Sequence, residues 1–290
     1  MRDARHGGRG RRPARVLPSA AVTAVAMALA LTAALAVSVN VGLRGKGGPT
    51  PTPAHLPGAD AYVIGRCTTR LDPDQASRNG NIAIAAKKLN GTLVQPGQEF
   101  SFNGIVGERS SDLGYGPARV IVDGRSEPGI AGGICQLSST LYNAALLAGM
   151  EIVERRAHSR PVPYLPAGLD ATVSYGAIDL RWANTSEASV TVRAQVSADN
   201  VSVWLEGRSP APEIELFTEV VEVIPPRPAA PPDPTGRAKS PPLPGAGTVA
   251  SVGAPGYRVR VWAETAVPEA GRRRRLVSED LYEPVNAVAN

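Results

Sequence analysis

The stretch that decides the fold runs from Gly132 to Asn184 and reads GGICQLSSTLYNAALLAGMEIVERRAHSRPVPYLPAGLDATVSYGAIDLRWAN. Two glycines precede apolar residues at helical spacing, which predicts a helix from about Cys135 to Ala148. Short β-branched segments separated by turns follow the helix, and they predict antiparallel strands at 171–175 and beyond. A helix combined with such strands indicates an α+β domain.

Upstream of this stretch, the sequence predicts a second helix and two short strands. Ser77 to Leu89 has helical spacing, with Ser77 as a plausible N-cap and Asn90-Gly91 as a stop signal. Segments 99–102 and 119–122 have the alternation of strands. These elements belong to the same α+β domain.

Downstream, strands are predicted at 189–196 and 201–205, and a Pro-rich linker at 225–247 then interrupts the chain. Beyond the linker, the alternating run Tyr257–Trp262 predicts a strand, and the run Arg275–Tyr282 is its candidate partner. The predicted organisation is a main domain at 62–224 and a short β-rich tail at 248–290.

The N-terminal region predicts export from the cytoplasm. Residues 1–15 form a basic leader with six arginines and one aspartate, which accounts for the whole net charge of +5. Because the remaining residues are formally neutral, a nucleic-acid partner is not expected. Residues 16–43 contain no charged side chain and, as a helix, would span about 42 Å, against about 30 Å for a bilayer core.

We therefore expect residues 16–43 to be a transmembrane anchor, followed by a Gly/Pro linker at 44–61. A cleaved signal peptide is the alternative, because Ala34-Leu35-Ala36 resembles a cleavage site. An anchor predicts a single-pass plasma-membrane protein with its C-terminal domain outside the cell. A cleaved signal peptide predicts a secreted protein.

Three residues suggest thiol chemistry. A cysteine at the start of a helix, here Cys135, has a lowered pKa and is more easily a nucleophile. His158 is the histidine of the predicted folded region, and Asp170 follows it. Nucleophile, base and carboxylate orienter in this order are typical of a thiol hydrolase or acyl transferase. Two other interpretations of Cys135 stay open, a packing residue or a disulfide with Cys67. The sequence shows no metal-binding motif and no cofactor fingerprint, so neither a bound metal nor a cofactor is expected.

Residues 132–184 resemble the core of the VanW-like family, as do Arg78–Ile82 and Leu89–Asn103. The family usually shows three glycines before Ile-Cys-Gln, and here the first of the three is Ala131. The resemblance implies a role in the cell envelope. The order of Cys, His and Asp is also similar to that in transglutaminase-like and papain-like thiol enzymes.

Two functions from different classes follow. The first is a thiol hydrolase or transpeptidase-type enzyme acting on peptidoglycan peptides or another cell-wall peptide, with Cys135, His158 and Asp170 as catalytic residues. The second is a non-catalytic cell-wall-binding or accessory module linked to the glycopeptide response. The sequence leaves open whether the chain is an enzyme. In both cases, the candidate substrate-binding residues are Gly132, Gly133, Gln136, Ser138, Ser139, Tyr142 and Arg78.

Overall fold

Helices and strands alternate irregularly along the chain, as expected for an α+β protein. The structure, a computed structural model, describes residues 41–42, 61–122, 125–227, 253–267 and 269–286. The helices are α1 (Ala76–Leu89), α2 (Phe102–Val106) and α3 (Ile134–Leu147). The strands are β1 (Val41–Gly42), β2 (Tyr62–Arg70), β3 (Thr92–Val94), β4 (Glu99–Ser101), β5 (Pro117–Val122), β6 (Arg125–Ile130), β7 (Glu151–Glu154), β8 (Arg181–Ala183), β9 (Val190–Val196), β10 (Asn200–Gly207), β11 (Ile214–Ile224), β12 (Gly256–Val267) and β13 (Gly271–Tyr282).

The strands form four antiparallel sheets. One sheet has the order β2-β10-β9-β3, and a second has the order β1-β11-β12-β13. A three-stranded sheet has the order β4-β8-β7, and β5 pairs with β6. The predicted mixture of helices and antiparallel strands is therefore confirmed for the described residues.

Helix α3 lies at the centre of the core. Every residue from Gln136 to Leu146 is buried, so this helix has no solvent-facing stripe. It packs against β2, β10 and α1. Strand β2 comes unusually close, since a Cβ at Gly65 would lie 2.3 Å from the carbonyl oxygen of Ala144. Only glycine allows this approach of strand to helix.

The two predicted helices and most of the predicted strands are present, although β12 and β13 are four to six residues longer than predicted, and two other predictions differ from the structure. Helix α1 begins at Ala76 after Gln75, so the predicted capping role of Ser77 was wrong. The predicted strand at 171–175 is a loop with a single bridge between Ser174 and Ile178. The reason is that hydroxyl groups of α3 bind the backbone here, as Ser139 Oγ does at 2.8 Å from the Ala171 nitrogen.

The C-terminal strands pair as the alternation predicted. Strands β12 and β13 form an antiparallel hairpin, which we call the C-terminal hairpin. Strand β11, from inside the predicted main domain, pairs with β12 along its whole length, with Ile224 opposite Gly256. The predicted tail at 248–290 therefore continues a sheet that begins before the Pro-rich linker.

The predicted anchor at 16–43 lies outside the described residues except for its end. Val41 and Gly42 form a strand that pairs with Thr218 and Phe217 of β11. These two residues were predicted to be helical, and that prediction is wrong. No helix among the described residues is long and apolar enough to cross a membrane.

Candidate active site

The amino end of α3 presents Cys135 in its first turn. The helix begins after Gly133, which has a φ of 103°, a conformation that favours glycine. A Cβ at Gly132 would lie 2.3 Å from the carbonyl oxygen of Arg119. Both glycines, predicted to let a substrate approach, thus have packing roles in the structure. Cys135 itself is partly exposed, and the positive end of the helix dipole favours its thiolate.

His158 and Asp170 meet Cys135 at this point. The side chains of His158 and Cys135 interact, and this interaction raises the pKa of the imidazole and lowers that of the thiol. On its other side, His158 Nδ1 lies 2.6 Å from Asp170 Oδ2, and the His158 backbone nitrogen donates to the same oxygen at 2.7 Å. Asp170 is fully buried. The structure therefore brings together the three residues that the sequence suggested as nucleophile, base and orienter.

The charges of the three side chains favour an ion pair. Burial would lower the pKa of His158, but hydrogen bonds to Asp170 and Cys135 raise the pKa to about 9. Burial would raise the pKa of Cys135, yet the hydrogen bond and the positive charge of His158 lower it below the ordinary value. Burial also opposes ionisation of Asp170, but its contacts with His158 and Tyr282 hold its pKa below the usual range. A thiolate beside an imidazolium is the expected neutral-pH state.

Residues that the sequence did not suggest surround Asp170. Tyr282 of β13 donates its hydroxyl to Asp170 Oδ1 at 2.5 Å. Arg155, just after β7, donates its Nε to the Asp170 carbonyl oxygen at 2.7 Å and pairs with Asp280. The ring of Tyr142 lies under the Arg155 guanidinium, 5.2 Å from centroid to carbon. No local motif marks Tyr282 or Arg155, because the two residues come from separate parts of the chain, β13 and the segment after β7, whereas Tyr142 was a predicted substrate-binding residue.

Four of the predicted substrate-binding side chains are buried and bonded within the chain. Gln136 is 1% exposed and donates to the carbonyl oxygen of Arg70 at 2.8 Å. Ser138 donates to the carbonyl oxygen of Ala171, and Ser139 to that of Cys135, both at 2.6 Å. Tyr142 is 1% exposed. Buried polar groups satisfied in this way hold the fold together. A contact of these four side chains with substrate stays a prediction.

Arg78 lies at the edge of the site rather than in it. Its Nη2 donates to Gln136 Oε1 at 2.7 Å, so one end of the guanidinium is held by the core. The side chain is half-buried, and this burial lowers the pKa of its guanidinium below the ordinary value. A contact with a substrate carboxylate stays a prediction for this residue.

An open cleft of about 520 Å³ lies beside the turn that follows Val173, whose carbonyl oxygen is 3.6 Å from the Cys135 sulfur. Asn103 and Tyr175 line this cleft. Arg109 donates to Asn103 Oδ1 at 2.7 Å. Burial raises the pKa of Cys135, His158 lowers it, and the positive charge of Arg109 lowers it further. Arg109 stands alone before a turn, so no sequence pattern marked it.

The disulfide interpretation is wrong for this structure, since Cys67 and Cys135 are both free thiols. Among the described residues, no group of three His, Cys, Asp or Glu side chains is placed to hold a metal ion.

Comparison with known proteins places the central part of the chain in a family. A family model described as VanW like protein matches residues 77–205. The chain is 44% identical over 132 residues to Uncharacterized protein YoaR of Bacillus subtilis (strain 168), covering 46% of this chain and 44% of that protein. It is 32% identical over 123 residues to Vancomycin B-type resistance protein VanW of Enterococcus faecalis (strain ATCC 700802 / V583), covering 41% of this chain and 45% of that protein.

The chain therefore spans less than half the length of these two relatives. No solved structure matches it significantly. The matched range contains Cys135, His158 and Asp170 but not Tyr282. Residues 77–205 therefore match the VanW-like family.

Proposed function

We propose that this VanW-like protein is a cysteine-dependent hydrolase or acyl transferase that acts on an amide bond of a cell-wall peptide. One observation carries the proposal: the His158 ring is hydrogen-bonded through Nδ1 to the buried carboxylate of Asp170 and interacts with Cys135, whose pKa it lowers. A packing cysteine needs neither an imidazole partner nor a carboxylate behind that imidazole. A base-activated thiol nucleophile uses both.

The reaction follows from the ion pair. The Cys135 thiolate attacks the amide carbonyl carbon, a C–S bond forms, and the imidazolium of His158 gives its proton to the leaving nitrogen as the C–N bond breaks. Water or an amine then attacks the thioester, His158 takes the proton of this nucleophile, and the C–S bond breaks to restore the thiolate. Asp170 holds the imidazole in place through Nδ1. The amino end of α3 stabilises negative charge at the sulfur.

The predicted location and the named relatives support the cell wall as the source of substrate. The uncharged N-terminal run predicts a membrane anchor or a signal peptide, and either would carry the site out of the cytoplasm. The enterococcal relative is named as a vancomycin B-type resistance protein. Peptidoglycan peptides are therefore the substrate class to test first, and no cofactor is required by the steps above.

The test is to treat purified cell wall with the ectodomain and to profile the released and cross-linked muropeptides. We expect new or missing muropeptides with the wild-type protein and an unchanged profile with Cys135→Ala. Cys67→Ala, which removes the other thiol, is the matched control and is expected to behave as the wild type. A profile altered equally by Cys135→Ala would overturn the proposal.

A non-catalytic wall-binding module is the second candidate, because the cleft beside the site is open and carries Tyr175, which is 55% exposed. An exposed aromatic ring in a cleft suits the binding of a sugar or peptide. Retention of the wild-type protein and of Cys135→Ala on insoluble cell wall, with neither changing the muropeptides, would favour this candidate.

A further inference from the structure

The last strand of the chain reaches the centre of the proposed active site. Tyr282, at the end of β13, lies 112 positions from Asp170 in the sequence and outside the range that the family model matches. Its side chain is fully buried, and its hydroxyl lies 2.5 Å from Asp170 Oδ1. The other carboxylate oxygen, Oδ2, accepts from the backbone and ring nitrogens of His158.

The direction of the Tyr282 hydrogen bond is determined by its neighbours. The backbone N–H of Gly168 donates to the Tyr282 oxygen at 2.6 Å, so this oxygen already acts as an acceptor there. The hydroxyl proton is then free to point at the acceptor oxygen of Asp170. Tyr282 thus holds one oxygen of Asp170 while His158 uses the other.

The rest of the hairpin is tied to the same loop. Asp280, two residues before Tyr282, pairs with Arg155, and Arg155 donates to the carbonyl oxygens of Gly168 and Asp170 at 2.8 and 2.7 Å. Gly168 packs so closely on β12 that a Cβ there would lie 2.5 Å from the Val261 side chain. Three independent contacts therefore join the hairpin to the segment that carries Asp170.

We propose that the C-terminal hairpin is a part of the active site and that Tyr282 is a positioning residue, which fixes the Asp170 carboxylate and through it the orientation and charge of His158. The inference rests on the proposed function only in calling the site catalytic. The positioning of the thiol by the hairpin is measurable without any substrate.

The experiment compares Tyr282→Phe with Tyr257→Phe in the full chain. Tyr257 lies directly opposite Tyr282 in the hairpin, so both variants remove one hydroxyl from the same strand pair. The readout is the rate of Cys135 alkylation by iodoacetamide across pH, with the His158 ring followed by NMR. In Tyr282→Phe, we expect the rate at pH 7 to fall about 3- to 10-fold and its pH midpoint to rise, because a loosened Asp170 supports the imidazolium less well.

Tyr257→Phe is expected to leave the midpoint unchanged. A purely structural tyrosine would lower thermal stability without moving either titration, and an unmoved midpoint in Tyr282→Phe would overturn the proposal. If Tyr282→Phe does not fold, Asp280→Asn, which weakens the separate contact of the hairpin with Arg155, is expected to raise the midpoint by a smaller amount, and no rise would also overturn the proposal.

The two proposals fail separately. An unchanged muropeptide profile together with a shifted alkylation midpoint would reject the proposed reaction and leave the positioning role in place. A changed profile together with an unmoved midpoint would do the reverse.

Discussion

The two cysteines of the chain lie in opposite electrical environments. Cys67 stands in β2, opposite Val203 of β10, and burial raises its pKa to about 12, with only a small opposing effect from the backbone of Thr68. Cys135 stands at the amino end of α3, and His158 lowers its pKa despite burial. Both side chains are partly exposed and neither is in a disulfide.

The difference shows what makes a thiol reactive in this fold. Burial disfavours the thiolate, and it acts on both residues. Of these two cysteines, Cys135 is the one whose pKa is lowered by an imidazole, and the buried Asp170 carboxylate keeps that imidazole protonated. Three measurements test this contrast between the two thiols.

Replacing His158 should remove the contrast. In His158→Gln, we expect the alkylation rate of Cys135 at pH 7 to fall at least about 30-fold, because a thiol with an ordinary pKa near 8.5 is only about 3% ionised there. Burial, then unopposed, lowers the rate further. Rates are measured by mass spectrometry of the labelled protein. Arg160→Gln, a change at an exposed residue two positions away, is the control, and an equal loss in that variant would contradict the explanation.

Titration should show the paired charges directly. The ultraviolet absorbance of the thiolate, taken as the wild type minus Cys135→Ser, is expected to persist well below the ordinary thiol range. The His158 ring is expected to lose its proton only near pH 9. Because the folded state binds the His158 proton more tightly than the unfolded state does, this proton stabilises the folded state fully below about pH 6.5. The contribution disappears as the pH rises through about 9. A His158 midpoint near 6.5 would refute the ion pair.

Removing the other thiol should change almost nothing. In Cys67→Ala, the alkylation rate of the native protein at pH 7 is expected to stay within about twofold of the wild type, since a thiol with a pKa of about 12 is hardly ionised at that pH. Denaturation in urea should expose the second thiol of the wild type. The denatured wild-type protein then takes up two labels instead of one. Loss of native labelling in Cys67→Ala would mean that the reactive cysteine was wrongly assigned.

Local pattern was enough to suggest the reactive residues. The glycine pair, the apolar spacing and the order of Cys135, His158 and Asp170 suggested a thiol at a helix end with two polar partners downstream, and the structure places all three together. Helix α1 and most strands followed from periodicity in the same way. Their roles in a reaction remain predictions.

Long-range packing was outside the reach of local pattern. The burial of Ser138 and Ser139 depends on the loop that crosses α3, and their hydroxyl groups bind its backbone. The contact of Tyr282 with Asp170 depends on how the hairpin docks, 112 residues further along the chain. Neither a helical period nor a strand alternation specifies which distant segment covers a given face.

The pairing of β11 with β12 also bears on how the chain can be altered. Ile224 and Gly256 are direct partners in the sheet. The backbone nitrogen of Arg227 donates to Asn286 Oδ1 at 2.9 Å. The described residues on either side of 228–252 therefore lie at adjacent points of the sheet. Halving the length of a flexible connection between two such points would change the free energy of loop closure by only about 0.6 kcal/mol. Evolution and protein engineering alike are free to trim, extend or exchange this segment while the final strand keeps its place.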